Sequence, residues 1–288
     1  MSQRTTRLKG LSLLRVVNIQ HVHSVFFTAI NFSFDLTLDP KNSAIEKNII
    51  ASFSKYAHSY DRYALLQKSM AERLASYLPE SLPSHILELG CGTGVFTRHL
   101  LTMPINKLTL NDISPVMIDT LKSRLTIPSN TKFIIGDAEK VSLEKSDLIC
   151  ANAVFQWFLN PMEALMHLKG SLNKTGTILF STFGPETLME FRETANLGSI
   201  ITLFSLKQWK TFIKNSGYTL NSIDVEKRKI FSPSTLNLMK NLQQIGAAPI
   251  RIFNAGGLRK LIRNYDQRFS TKQGVYATWE LFYFSISI

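Results

Sequence analysis

Three acids and three glycines carry the clearest chemistry in this sequence. Residues 86–94 read Ile-Leu-Glu-Leu-Gly-Cys-Gly-Thr-Gly, so an apolar run containing Glu88 passes directly into Gly90, Gly92 and Gly94. Glycine reaches positive φ without steric cost and leaves bare backbone for a ligand to lie against. A second apolar run, Leu108-Thr109-Leu110-Asn111-Asp112, ends on an acid eighteen residues after Gly94. A third, Phe133-Ile134-Ile135-Gly136-Asp137-Ala138, ends in the same way. A carboxylate at such a place can accept both hydroxyls of a sugar, and each charge-assisted bond is worth about 1.5–3 kcal/mol. Taken singly, these features are also a tight turn and two turn or cap residues. Their recurrence at the ends of successive runs points to one ligand.

These residues need a scaffold that brings the run ends together. Short β-rich runs (85–89, 107–111, 132–135, 147–151, 177–182) alternate with helical stretches (93–101, 115–125, 161–172). Pro115 and Pro161 stand where a helix tolerates proline best, in its first turn. Such alternation predicts right-handed βαβ units and a parallel sheet. The last third changes style. Two longer strands are expected at 220–231 and 275–285, with helices at 206–216, 234–245 and 255–269 and a helical cap between the two strands.

The glycine spacing is not that of a dinucleotide loop, because Val95 stands three residues after Gly92. The Glu-x-Gly-x-Gly-x-Gly arrangement resembles the S-adenosylmethionine loop of class I methyltransferases. That resemblance implies a Rossmann-like α/β fold, with a mostly parallel seven-stranded sheet, one antiparallel strand and helices on both faces. It implies S-adenosylmethionine as cofactor, S-adenosylhomocysteine as product and no metal. The implied cofactor set is Glu88, Gly90, Gly92, Gly94, Asp112, Ile113, Asp137, Ala138 and Asn152. Within it Asp112 takes the ribose, Asp137 the adenine amino group, and Ala138 supplies a backbone donor. Cys91 reads as a small loop residue and Cys150 as core strand, since neither has a base beside it in sequence.

The fourth run continues Asn152-Ala153-Val154-Phe155-Gln156-Trp157 and lacks the Asp/Asn-Pro-Pro-Tyr/Phe of amino-methylating nucleic-acid enzymes. With its Gln-Trp pair, four further stretches carry a narrower resemblance. They are Phe53-Ser54-x-x-Ala57-x-Ser59-Tyr60-Asp61 with Gln67; Phe180-Ser181-Thr182-Phe183-Gly184-Pro185-x-Thr187-Leu188 with Glu190 and Arg192; Leu242-x-x-Ile245-Gly246-Ala247; and Gly274-Val275-Tyr276-Ala277-Thr278-Trp279-Glu280. Over about residues 47–286 the chain resembles the malonyl-[acyl-carrier protein] O-methyltransferases of biotin synthesis. The resemblance implies methylation of the free carboxylate of malonyl-acyl carrier protein. It makes Tyr60, Arg192, Gln156 and Trp157 the candidate holders of that carboxylate. For Tyr60 the alternative is packing of an amphipathic helix with Tyr56 and Tyr63, and for Arg192 a solvated helix charge. Other acceptors remain open at this point: a small aconitate-like acid, RNA or a protein side chain, or no turnover at all in an organellar cofactor-binding assembly factor. No Gly-x-Ser-x-Gly esterase elbow is present.

Composition bounds these readings. The 288 residues carry 33 basic and 21 acidic side chains, a net charge of +12 with 44% hydrophobic residues, which excludes a collagen-like or wholly disordered chain. Two cysteines cannot build a disulfide framework or a four-thiolate zinc site. The apolar stretch 11–34 is interrupted by Arg15, Asn18, Gln20, His21 and His23, so no membrane span is expected. The positive charge admits nucleic acid, an anionic membrane or an acidic protein. The fourth run disfavours nucleic acid, and acyl carrier protein is the acidic partner that the resemblance implies. It would dock on a basic rim, for which Lys207/Lys210/Lys214, Arg259/Lys260/Arg263 and Lys227/Lys229 are the candidate clusters. Residues 1–40 have four basic side chains before their first acid, Asp35, and are expected to be a disordered or targeting extension. Residues 41–288 are expected to form one domain, with cover helices at 41–78, a cofactor core at 85–182 and a substrate and cap region at 183–288. A cytoplasmic monomer is expected, or an organellar one if 1–40 is a presequence.

Overall fold

The strands form one sheet whose order reverses at its first strand, His85–Leu89. In the computed structural model, residues 43–195, 202–245 and 255–288 are described. The 1–40 extension and Gly246-Ala247 of the late-helix motif lie outside them. β1 (His85–Leu89), β2 (Lys107–Asp112), β3 (Lys132–Ile135), β4 (Ser146–Asn152) and β5 (Leu172–Phe183) run parallel. β6 (Thr219–Ser232) follows, and β8 (Gly274–Ser287) inserts antiparallel between β5 and β6. The order is β3-β2-β1-β4-β5-β8-β6, with a two-residue strand β7 (Ser270–Thr271) paired to β8. The expected seven strands with one antiparallel are the main path, and β7 is an addition to it. All five residues of β1 are buried, as in a parallel strand covered on both faces.

Helices cover the two faces unequally. α1 (Ser43–Tyr63), α2 (Leu65–Ala75), α3 (Thr97–Leu100), α4 (Pro115–Arg124), α6 (Met189–Ala195), α8 (Thr235–Gln244) and α9 (Ala255–Phe269) all contribute residues to one apolar layer. α5 (Pro161–Gly170) and α7 (Leu206–Asn215) supply the other, around a stack of Phe155, Phe180 and Phe284 closed by Trp209. Pro115 and Pro161 do open helices, behind the N-caps Ser114 and Asn160, whose side chains accept from Met117 N and Glu163 N. The segment between β6 and β8 forms α8 and α9, and α9 packs on α6, α8 and β8. No helix among the described residues is long and apolar enough to cross a membrane.

Two elements start elsewhere than the sequence predicts, and one is β5, which begins at Leu172 where a helix end is expected rather than at 177. The helix after the glycines starts at Thr97, not Thr93. Gly90, Gly92 and Gly94 take φ of 58°, 54° and 88°, outside the right-handed helical region. The chain turns there through Gly94 N–H to Cys91 O, and the first helical bond, Arg98 N–H to Gly94 O, forms only afterwards.

The carboxyl edge of the sheet is braced by buried Asn111, whose Nδ2 donates to Ile134 O at 3.0 Å and Gly136 O at 2.9 Å. Asn111→Leu should therefore lower stability by about 2–4 kcal/mol, read as a shift in urea midpoint at constant slope. Tyr283→Phe deletes a buried hydroxyl with no partner among the described residues, and should stay within about 0.5 kcal/mol of the parent.

Candidate active site

Parallel strands that depart in opposite directions from a switch point leave a crevice at their carboxyl ends. Here the crevice opens where β1 and β4 lie side by side, with β2 and β3 to one side and β5 to the other. Asp112 closes β2 and is 7% exposed. Its Oδ2 accepts from Gly92 N–H at 2.8 Å and its Oδ1 from Ser114 N–H at 2.8 Å. Burial raises its pKa to about 6 against the lowering effect of those backbone bonds. A Cβ on Gly92 would meet nothing nearer than Gly90 O at 3.9 Å, so open space lies over Gly92 beside Asp112. Gly90 differs, because a Cβ there would strike Val154 at 2.5 Å. Thus Gly92 leaves room for a ligand while Gly90 permits packing onto the segment after β4.

Glu88 is 1% exposed and accepts from Thr97 Oγ1 at 2.7 Å. Burial lifts its pKa to about 8, so its carboxyl holds a proton at neutral pH. Gly136 N–H donates to Asp112 O at 3.0 Å, which sets the turn after β3 against the end of β2. In that turn Asp137 accepts from Glu139 N–H at 3.0 Å and pairs with Lys140 at 2.9 Å, and Ala138 is buried. Ile113, between Asp112 and the N-cap Ser114, is half-buried. Cys91 and Cys150 are buried free thiols pushed well above their usual pKa by burial, as expected of packing residues.

The segment after β4 is locked from below. Asn152 Oδ1 accepts from Ser181 Oγ at 2.8 Å, and its Nδ2 donates to Gln67 O at 3.0 Å. Ala153 adopts φ 55° and its N–H donates to Ser181. Gln156 is buried with Nε2 donating to Ala153 O at 2.6 Å and Oε1 accepting from Thr182 Oγ1 at 3.3 Å. The amide of Gln156 is thereby spent on shaping this turn.

Of the four candidate carboxylate holders, the structure brings two into one group. Trp157 packs edge-on against Phe53 at 5.4 Å, and Phe53 against Tyr60 at 6.3 Å. Burial, and then the charges of Asp112 and Asp61, push the Tyr60 phenol far up, so it remains a hydroxyl donor. Arg192 donates through Nη2 to Pro185 O, and its buried Nε has no partner among the described residues.

Sequence reasoning quoted Asp61 and Phe53 without giving either a role. Asp61 accepts from Thr93 Oγ1 and pairs with Arg98 at 3.3 Å and Arg124 at 3.2 Å, bolting α1 to the glycine loop and to α4. Ser54 Oγ lies 2.9 Å from Ser114 Oγ, and Arg124 Nη2 donates to His58 O at 2.7 Å. At the other side Ser59 Oγ donates to Gln244 Oε1 of α8 at 3.0 Å. These partners are 32 to 185 residues apart, so no local pattern could reveal them. Among the described residues no cluster of three or more His, Cys, Asp or Glu could hold a metal ion.

A family model described as a methyltransferase domain matches residues 58–223. A protein of Ilyobacter polytropus named malonyl-[acyl-carrier protein] O-methyltransferase 1 is 34% identical over 249 residues, covering 83% of this chain and 93% of that protein. A Paenibacillus sp. protein named malonyl-[acyl-carrier protein] O-methyltransferase is 31% identical over 253 residues, covering 78% and 92%. Among solved structures, the Haemonchus contortus phosphoethanolamine N-methyltransferase 2, in complex with phosphomonomethylethanolamine and S-adenosylhomocysteine, matches with a TM-score of 0.55. Identity is 15% over 85% of this chain and 61% of that one, so the likeness is one of fold.

The raised pKa of Glu88 has a sign that can be measured. Unfolded, it releases its proton near 4.5; folded, near 8. The folded state therefore binds more protons between these values, and the stability this group contributes at low pH is lost as pH rises to 8. Asp112 acts in the same direction but is fully ionised well above 6. Thermal melts should show Tm falling from pH 6 to 8 in the parent and falling less in Glu88→Gln.

Proposed function

This chain belongs to the malonyl-[acyl-carrier protein] O-methyltransferase family, and from that premise we propose that it transfers a methyl group from S-adenosylmethionine to the free carboxylate of malonyl-acyl carrier protein. The observation that carries the reading is the buried Asp112 beside the open Gly92. Each Asp112 oxygen already accepts one backbone N–H and keeps a further lone pair for a ribose hydroxyl. Glu88, Gly90, Gly94 and Ile113 complete that cradle, while Asp137 and Ala138 serve the adenine and Asn152 holds the wall opposite. When bound, S-adenosylmethionine supplies an electrophilic methyl on a sulfonium.

This chain's residues then have little acid–base work. A malonyl carboxylate has a reference pKa of roughly 4, so it is ionised at neutral pH and nothing need take its proton. Tyr60, held as a neutral phenol, donates to one carboxylate oxygen and leaves the other free to attack. Phe53 and Trp157 wall off water, which would otherwise solvate the nucleophile. Attack by that oxygen on the bound methyl donor would leave a neutral ester and a neutral thioether, so no residue of the chain would have to accept or release a proton. Arg192, whose buried Nε has no partner among the described residues, is the second candidate carboxylate donor. Gln156 acts by fixing the turn that carries Trp157. The product ester hides a charge that an acyl tunnel would reject, so chain extension toward a pimeloyl group can follow.

The docking partner in this reading is the acidic carrier protein. Lys207, Lys210 and Lys214 are exposed along α7 and pair with no acid among the described residues. Lys227 is engaged by Glu186 at 2.5 Å and Lys229 lies over the Tyr276 ring at 4.3 Å, so the α7 row is a stronger candidate than that pair, and exposed Arg259, Lys260 and Arg263 on α9 stand beside it as the other candidate.

Incubation with radiolabelled S-adenosylmethionine should place base-labile label on malonyl-carrier and not on succinyl-carrier, and the yield should fall as salt rises. Tight cofactor binding with no label on malonyl-carrier would overturn the reading. Cofactor affinity of the parent should weaken by up to tenfold per pH unit below about 6, as Asp112 takes up a proton, and should be flat with pH in Asp112→Asn. Isothermal titration between pH 5 and 8 measures both.

A further inference from the structure

The second half of α1 sorts by helical position into stripes with different work. At about 100° per residue, Phe53, Ala57 and Tyr60 share one stripe. Ala57 is fully buried there, and Tyr60 packs on the apolar layer beneath. Lys55, His58 and Arg62 form the opposite stripe and are exposed.

Between these stripes lie two flanks, and the helix is fastened along both. Asp61 stands about 100° to one side of Tyr60, with Ser54 two turns earlier on the same flank. Asp61 accepts from Thr93 Oγ1 and pairs with Arg98 at 3.3 Å and Arg124 at 3.2 Å. Ser54 Oγ lies 2.9 Å from Ser114 Oγ. Thr93 follows Gly92 directly, and both Gly92 and Ser114 donate a backbone N–H to Asp112. This flank therefore rests on the two turns that Asp112 joins. Ser59 stands about 100° to the other side of Tyr60. Its Oγ donates to Gln244 Oε1 of α8 at 3.0 Å.

Tyr60 thus points between two fastenings that belong to different elements. Fastenings on opposite flanks set the rotation of a helix about its own axis, which one fastening alone leaves free. The phenol oxygen stands roughly 9 Å from that axis, by standard bond lengths added to the Cα radius. A rotation of about 10° would carry it about 1.5 Å sideways, and a misplacement of about 1 Å can cost a hundredfold in rate. The Asp61 pairs are partly exposed and weak one by one, so the buried stripe keeps the helix seated while the flanks decide how it is turned.

We infer that Asp61 and Ser59 are positioning residues that set the rotation of α1 and so aim the Tyr60 hydroxyl. The inference rests on the methyl-transfer reading above, in which Tyr60 donates to the acceptor carboxylate, and adds what holds that donor in place.

The test uses the full chain, labelled S-adenosylmethionine, malonyl-acyl carrier protein and the malonyl thioester of N-acetylcysteamine, a small acceptor with no carrier to dock. Asp61→Asn keeps an acceptor for Thr93 and removes the charge that Arg98 and Arg124 face. Ser59→Ala removes the donor on the opposite flank. On the small acceptor each should lower kcat by about tenfold. In a Tyr60→Phe chain each should lower it by less than about twofold, because no hydroxyl is left to aim. In the ligand-free chain, hydrogen exchange over residues 49–63 should quicken by about fivefold in both variants, with β1 and β4 unchanged. Losses in kcat of equal size with and without the Tyr60 hydroxyl overturn the inference, since they mark a general loosening of the fold. Unchanged kcat in either single variant overturns it, as does exchange in α1 no faster than in the parent. So does a Tyr60→Phe chain as active as the parent. In each of these cases label transferred by the parent to malonyl-carrier leaves the methyl-transfer reading standing. No label on malonyl-carrier or on the small acceptor overturns both.

Discussion

The Asp112 carboxylate is the interaction on which the site depends. It receives Gly92 N–H from the loop after β1 and Ser114 N–H from the start of α4, so one side chain fixes two turns at once. Burial makes ionisation costly, as the pKa near 6 shows, and the two backbone bonds bring it back toward the charged form. The same balance leaves unused lone pairs aimed at the open space over Gly92. The side chain that organises the glycine loop is thus also one able to take a polar ligand.

Around this point the fold applies one device repeatedly: side chains at strand ends hold backbone that lies out of ladder register. Asn111 braces Ile134 and Gly136, Asn152 and Ser181 brace the turn at Ala153, and Gln156 braces that turn again from beyond it. On β8, Glu190 receives both the backbone N–H and the hydroxyl of Thr278, and Glu280 receives Glu186 N–H. These hydrogen bonds fix the strand ends that face the crevice, which suits an in-line transfer in which misplacement by an ångström is expensive.

The cover is held by charge. Asp61 gathers Thr93, Arg98 and Arg124, which ties α1 to the loop it overlies. These pairs are partly exposed, so each adds about 1 kcal/mol or less and the helix is fastened by their number together with Ser54, Ser59 and His58. Tyr60 and Phe53 arrive over the crevice because that helix is so fastened.

The sequence by itself determined the parallel sheet, the glycine loop, the acids at the ends of β2 and β3, and the family. These signals are local: strand period, proline at helix starts, and glycines where φ must be positive all act within a few residues. Local signals erred where a tertiary requirement intervened, as at Thr93–Phe96, where the left-handed glycines postpone the helix to Thr97. Tertiary packing alone makes Gln156 shape a turn, lets Trp157 and Tyr60 meet through Phe53, and turns Asp61 into an ion-pair hub. Each of those outcomes is a contact between residues far apart in the chain, and side-chain type at one position says nothing of what burial will set beside it.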